Sequence, residues 1–300
     1  MWFKLPDVLC HYTSIDGFKG IIEHKKIFAT SIRYFEKDPT EFTYSIDFTI
    51  RSMQILRKEY PRYDEPFLSE FEQQLNWIRE HLETHEFNIF VCSFTTLENE
   101  PGQWDEHCPD QNGYCICFDA MKLYSVANQY GAQFEQCLYD EDEQRRKIRE
   151  ALKEGVNEYF HRELNATSSK NQDVQTSARI AAQCFAIIFM TKIAPFLKSG
   201  TYKTQEEWRL SLSPEVYGLP SFLLPGRRQT RNGKSIPGIP YVNISLIGDW
   251  GHYGRLPFRK IYVGPTADED GAKKYTEEFL RGHGVDDCEV EKSGIPYRQL

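Results

Sequence analysis

Apolar and polar positions change period several times along the chain, and each change marks an element. A short strand ends on His11-Tyr12-Thr13-Ser14, four polar side chains that this pattern exposes together. A helix follows at once. Ser14 is placed as its N-cap, able to accept from first-turn N–H groups, and Phe18, Ile21 and Ile22 give one apolar stripe. A second strand completes the first thirty-odd residues. Phe67, Phe71, Leu75, Ile78 and Leu82 recur at spacings of three and four, so residues 45–84 read as two helices around Pro61 and Pro66. Asn88 to Phe94 and Gly113 to Phe118 read as strands joined by a polar loop that holds Trp104 and His107. A helical block over 121–164 carries Ile148, Leu152, Val156 and Tyr159 on one stripe. A polar loop, Asn165 to Thr176, separates it from an apolar helix over 178–197.

Beyond Gly200 the pattern returns to alternation. Residues 206–212 read as a strand, and Asn232-Gly233 as the tight turn of a hairpin flanked by Arg228, Arg231 and Lys234. The end reads as a strand (260–264), a helix (268–281, stopped by Gly282 and Gly284) and a last strand from Cys288. Strands in separated groups with helical blocks between them predict an α+β fold, one domain over 1–300 with helical insertions at 45–84 and 121–197.

Composition narrows the classes. With 300 residues, 40% hydrophobic and 14% aromatic, the chain can bury its own core. A formal charge of −8 excludes a protein that coats nucleic acid through a general positive field, while a local basic loop could still hold a phosphate. The opening residues lack the apolar core of a secretory signal, and the run Ile180 to Met190 is short and broken by Gln183. Both point to a cytoplasmic protein with no membrane partner. The eight cysteines form no Cys-x-x-Cys pair, which predicts reduced thiols and no metal. A zinc site from His107, Cys108, Cys115 and Cys117 fits no standard spacing.

The candidate chemistry keeps two readings at each position. His11 lines a pocket or donates to a neighbouring backbone carbonyl. Glu207 is a catalytic carboxylate or an ion-pair partner of Arg209 or Lys203, and Glu206 competes with it, since adjacent strand residues face opposite ways. Asp38-Pro39-Thr40-Glu41 starts a turn or brings Glu41 to close the same pocket. Trp104 grips a ligand or covers a core edge, and the cations at 227–234 meet an anion or tip a solvated hairpin.

Several clusters together resemble the bacterial family known as domain of unknown function twenty-nine seventy-one. They are His11-Tyr12-Thr13-Ser14, Ala29-Thr30 through Asp38-Pro39-Thr40-Glu41, Ser93-Phe94, Trp104, Gly113 through Asp119, Glu207-Trp208-Arg209, Ile239-Pro240-Tyr241, Val263-Gly264-Pro265 and Ser293 through Arg298. Lys37 stands where that family usually has Asn, and its Tyr shortly after the Trp is missing here. More distantly the pattern looks like the ADP-ribosyltransferase superfamily. That resemblance implies a split β-sheet core enclosing NAD as substrate, with His11 on the adenosine ribose and Thr13 or Ser14 supporting it. It further implies Tyr34 stacking on nicotinamide, Glu207 as the catalytic carboxylate, Arg209 or Arg228 meeting the pyrophosphate, and Tyr12, Glu41, Ser93 and Trp104 lining the pocket.

The function it implies is transfer of ADP-ribose to a macromolecular acceptor, protein or nucleic acid, or hydrolysis of NAD. The setting would be an antiviral-defence or toxin system with a possible partner protein. Two alternatives stand beside it: an RNA- or phosphate-processing enzyme using the basic hairpin, and a non-catalytic domain that senses a nucleotide or a phage protein.

Overall fold

A computed structural model describes residues 4–34, 41–81, 89–108, 112–167, 173–213, 226–228, 239–247 and 256–296. The strands are β1 (Val8–Ser14), β2 (Lys26–Ser31), β3 (Phe90–Thr95), β4 (Gly113–Asp119), β5 (Gln133–Gln136), β6 (Glu207–Leu212), β7 (Gly226–Arg228), β8 (Ile239–Ser245), β9 (Phe258–Val263) and β10 (Glu289–Lys292). The helices are α1 (Ile15–His24), α2 (Glu41–Leu56), α3 (Glu65–Glu80), α4 (Pro101–His107), α5 (Ala120–Gln129), α6 (Glu141–Glu154), α7 (Arg162–Thr167), α8 (Val174–Lys192) and α9 (Glu269–Gly282). The fold is α+β, with a central mixed sheet: β9 and β10 run parallel and the other pairs antiparallel.

The sheet branches at β3. Along one edge β3 pairs with β6 over its whole length, from Phe90↔Leu212 to Thr95↔Glu207, and β5 extends the sheet beyond β6. Its other edge is shared. β2 pairs with its start, at Thr30↔Val91 and Ser31↔Phe90, and β1 with its end, at Cys10↔Thr95. From β1 the sheet continues through β4 and β9 to β10, and from β2 through β8 to β7. The two arms therefore part between Thr95 and Val91.

One face of the sheet carries Leu9, Phe94, Phe118, Trp208, Leu210 and Ile261, covered by α1, α5 and α9. The other face is divided. Over β3 lies a helical layer in which Phe71 of α3 meets Phe185 (4.9 Å between ring centroids) and Phe189 (5.5 Å) of α8. Over β1, β4 and β9 lies a smaller cluster of Cys10, Tyr12, Cys115, Cys117 and Tyr262, covered by Trp104 of α4.

Local signals set these elements. Ser14 caps α1 by accepting from the Gly17 N–H at 3.2 Å, and Asp140 caps α6 by accepting from the Asp142 and Glu143 N–H groups at 3.0 Å. Three expectations change. The loop holding Trp104 and His107 contains a helix, started by Pro101 at its first position. The block over 121–164 is interrupted by β5, whose Phe134 is buried by the sheet although Gln-Phe-Glu-Gln offers one apolar residue to a period count. The apolar helix begins at Val174 rather than 178, because Asp173 caps it by accepting from the Thr176 N–H at 2.6 Å. The segment Val174–Phe196 is then long and apolar enough to cross a membrane, but 56% of its most apolar window is buried within the protein, and it is a core helix. The Asn232-Gly233 turn lies outside the described residues.

Phe71 is fully buried between α3 and α8. Phe71→Ala is expected to cost about 3–5 kcal/mol, the range for a buried aromatic truncation. Chemical denaturation measures it, and a loss below about 1 kcal/mol contradicts this packing.

Candidate functional site

The branch at β3 leaves a backbone problem that His11 answers. Where β1 and β2 diverge, the Ser93 carbonyl lacks a strand partner on that edge, and an unpaired backbone acceptor is costly once covered. The His11 ring fills the gap: its Nδ1 lies 2.9 Å from the Ser93 oxygen and so donates to it, leaving Nε2 as the acceptor. Burial pulls the His11 pKa below its ordinary 6.5, so the ring is neutral at pH 7. Its ring centroid lies 5.8 Å from that of Phe94, on the face covered by α1.

Glu207, at the start of β6, sits in a buried ion cluster. Arg209 donates from Nε to Oε1 at 2.8 Å and from Nη2 to Oε2 at 3.0 Å, and its Nη1 donates to the Pro195 carbonyl at 2.5 Å. Lys198 donates to Oε2 as well, and to Gln205 Oε1 at 2.6 Å. Gln205 passes the chain outward by donating to Glu106 of α4 at 2.5 Å. The Glu207 side chain is 8% exposed and that of Arg209 1%. Alternation explains the pairing, since residues two apart on a strand share a face. Glu206, in a left-handed conformation at φ 44°, points away and accepts from the Thr96 hydroxyl. The partner of Glu207 beside Arg209 is Lys198, not Lys203.

Register decides which candidates meet. Cys10 pairs with Thr95 and Thr95 with Glu207, and directly paired residues of antiparallel strands share a face. Tyr12, Ser93, Arg209 and Glu207 therefore lie on one face. His11 and Thr13 lie on the other, and the β3 backbone runs between His11 and Glu207. The structure does not bring that pair together, and the four polar residues at the end of β1 are not exposed as a group. Tyr12 is buried, its hydroxyl donating to the Leu97 carbonyl at 2.9 Å and accepting from the Glu100 N–H at 2.9 Å. Trp104 packs edge-on against Tyr12 at 4.9 Å and donates from Nε1 to Asn99 Oδ1 at 3.0 Å, so it joins the Tyr12 side and covers a core edge. Ser14 spends its hydroxyl on the α1 cap.

Arg228 stands on β7, separated from β3 by β8 and β2, and its side chain lies outside what is described. Tyr34 ends the short 3₁₀ turn after β2 and Glu41 opens α2. Their side chains, like residues 37–40, Arg231 and Lys234, lie outside what is described. Lys198 and Gln205 were missed by sequence reasoning, because no spacing links them to Glu207; the turn over residues 200–205 folds them back onto it. As for the sulfur and imidazole set, Cys108 donates to the Thr13 carbonyl at 3.4 Å and His107 is exposed, while Cys115 and Cys117 gather instead with Cys10.

Residues 103–210 match the family model described as Protein of unknown function (DUF2971). The chain resembles that family. The matched stretch includes Trp104, β4 and Glu207-Trp208-Arg209, and excludes β1 with His11. No curated protein and no solved structure matches the chain.

Because the folded state holds His11 neutral and its unfolded pKa is 6.5, the unfolded state binds the extra proton below that value. Stability contributed by the neutral ring is fully present above pH 6.5 and is lost as pH falls below that value through the lower folded pKa. Urea titrations across this range should show that slope in the native chain and a flatter one in His11→Gln; equal slopes contradict the assignment. Arg209→Leu should cost about 3–5 kcal/mol by stranding a buried carboxylate, and Arg209→Leu with Glu207→Leu should recover part of it. Strict additivity in that double-mutant cycle contradicts the ion cluster.

Proposed function

We infer that the chain is an ADP-ribosyltransferase-like enzyme acting on NAD, with the dinucleotide on the sheet face that carries Tyr12, Ser93, Glu207 and Arg209. The observation that carries this reading is that residues from β1, β3 and β6, nearly two hundred positions apart, share that face beside the parting of β1 and β2. Rigid strands that gather such side chains on one face are the kind of place where ligand chemistry is built.

The chemistry fits the residue types. Cleaving the nicotinamide–ribose bond develops positive charge on the ribose, and a fixed carboxylate near the 2′-hydroxyl favours that charge over the ground state. Arg209 orients the Glu207 carboxylate through two hydrogen bonds. Lys198 shares Oε2 of Glu207 with Arg209. An NAD pyrophosphate reaching this face would draw Lys198 toward its own oxygens and leave Glu207 an oxygen for the ribose. His11 serves from the other face, holding the Ser93 carbonyl where β1 and β2 part. Cytoplasmic action on a macromolecular acceptor, or on water, in a defence or toxin setting completes the reading.

A second reading has its own observation. The Glu207 carboxylate is engaged by both Arg209 and Lys198 and nearly inaccessible, which suits a domain that senses a nucleotide without turning it over.

The test is NAD-dependent thermal shift together with nicotinamide release, with and without cell extract. The enzyme reading predicts a shift and release, with Glu207→Gln losing about 100-fold or more in release while the shift persists. A shift without release, unchanged in Glu207→Gln, selects the sensing domain. Neither shift nor release overturns both.

A further inference from the structure

Three buried cysteines outside that cluster have no part in the reading above. Cys10 on β1 is the direct cross-strand partner of Cys117 on β4, and Cys115, two residues along β4, falls on the same face. The three sulfurs lie within 4.8 Å of one another, with Cys10 and Cys117 at 2.8 Å and Cys115 and Cys117 at 3.9 Å. Thiolates bound at about 2.3 Å around one zinc ion stand about 3.8 Å apart, so the set needs little more than rotamer adjustment to surround a common centre.

The surroundings suit a soft metal ion. All three cysteines are at most 1% exposed, and Tyr12, Trp104 and Tyr262 close the pocket with aromatic carbon. Asn99 lies in the loop that leads into α4, whose Trp104 belongs to the cluster covering the sulfurs. Asn99 holds a left-handed conformation at φ 50°, and its side chain is fixed by Trp104 Nε1 at 3.0 Å and the Ser293 carbonyl at 2.8 Å. The loop into α4 is thereby anchored at two points. Lys260, the register partner of Cys117 on β9, adds a cation on the same face.

We propose that Cys10, Cys115 and Cys117 form a binding site for one thiophilic d¹⁰ metal ion, Zn²⁺ or Cu⁺, which locks β1 to β4 beneath α4. Soft thiolate ligands select these two ions over the harder divalent cations. Three S–H bonds give their protons to solvent as three sulfur–metal bonds form. The site is closed, so the ion enters as the chain folds and its binding adds to stability.

The full chain, purified under reducing conditions, should carry one zinc or copper ion by elemental analysis. Stripped protein offered Zn²⁺ or Cu⁺ in separate arms shows which is held more tightly. Cys117→Ser should weaken retention more than about tenfold, the scale that loss of even a supporting contact reaches. Cys184→Ser, at an exposed cysteine of α8, should leave it unchanged. Should Cys117→Ser fail to fold, Co²⁺ loading of the native chain replaces it, and thiolate-to-cobalt charge-transfer absorption is expected. Failure to bind either ion, retention unchanged in Cys117→Ser, absence of the cobalt band, or peptide mapping that finds Cys10 and Cys117 joined as a disulfide each overturn the site.

Discussion

The buried cluster of Glu207, Arg209 and Lys198 holds the sheet to the helical layer. Through Arg209 it fixes the Pro195 carbonyl, and through Lys198 the turn over residues 200–205. The Lys198 carbonyl in turn accepts from Gln144 of α6 at 2.7 Å, and the Glu207 N–H donates to the Tyr139 hydroxyl at 2.9 Å. The cluster and the backbone of its members thus tie β6 to α6, to the segment after β5 and to the connection from α8. Ion pairs of this kind add little net stability compared with apolar residues of the same shape, yet losing one partner strands a charge in low dielectric. The constraint they impose is geometric: β6 can take only the register that puts Glu207 and Arg209 on this face.

That constraint separates the two residues on which the sequence reading leaned most. Tyr12, Ser93, Arg209 and Glu207 face one way and His11 the other, so the imidazole acts on the backbone of β3 rather than beside the carboxylate. Its neutral ring satisfies a carbonyl that the branching strands leave open. The branch bears on the functional reading because it sets Ser93 of β3 beside the parting of β1 and β2, on the face where the neighbouring β6 carries a fixed acid. The three-cysteine group occupies the same face one strand further out, with Tyr12 as the shared wall: its ring helps close the sulfur pocket and its hydroxyl ties down the loop at Leu97 and Glu100.

Local signals were legible in the sequence. The Ser14 cap and the stripe from Phe67 to Ile78 depend on residues close in the chain, and each appears where spacing put it. The Glu207–Arg209 pair was legible for the same reason, as two positions of one strand. Lys198 was not, because its approach depends on a turn closed by tertiary contacts. Nor was the partnership of Cys10 with Cys117, because strand register across more than a hundred residues leaves no spacing to read. The facing of His11 lay equally out of reach: alternation says that neighbours diverge but not which neighbour joins a distant carboxylate. β5 was missed because a four-residue strand with a single apolar side chain carries too weak a period.

A crystal structure of the chain with NAD or a non-hydrolysable analogue tests the account most directly. It predicts the nicotinamide riboside on the face of Tyr12 and Ser93, within hydrogen-bond reach of Glu207, with the His11–Ser93 contact intact behind it. A ligand bound on the His11 face, or one seated far from β3, would contradict it.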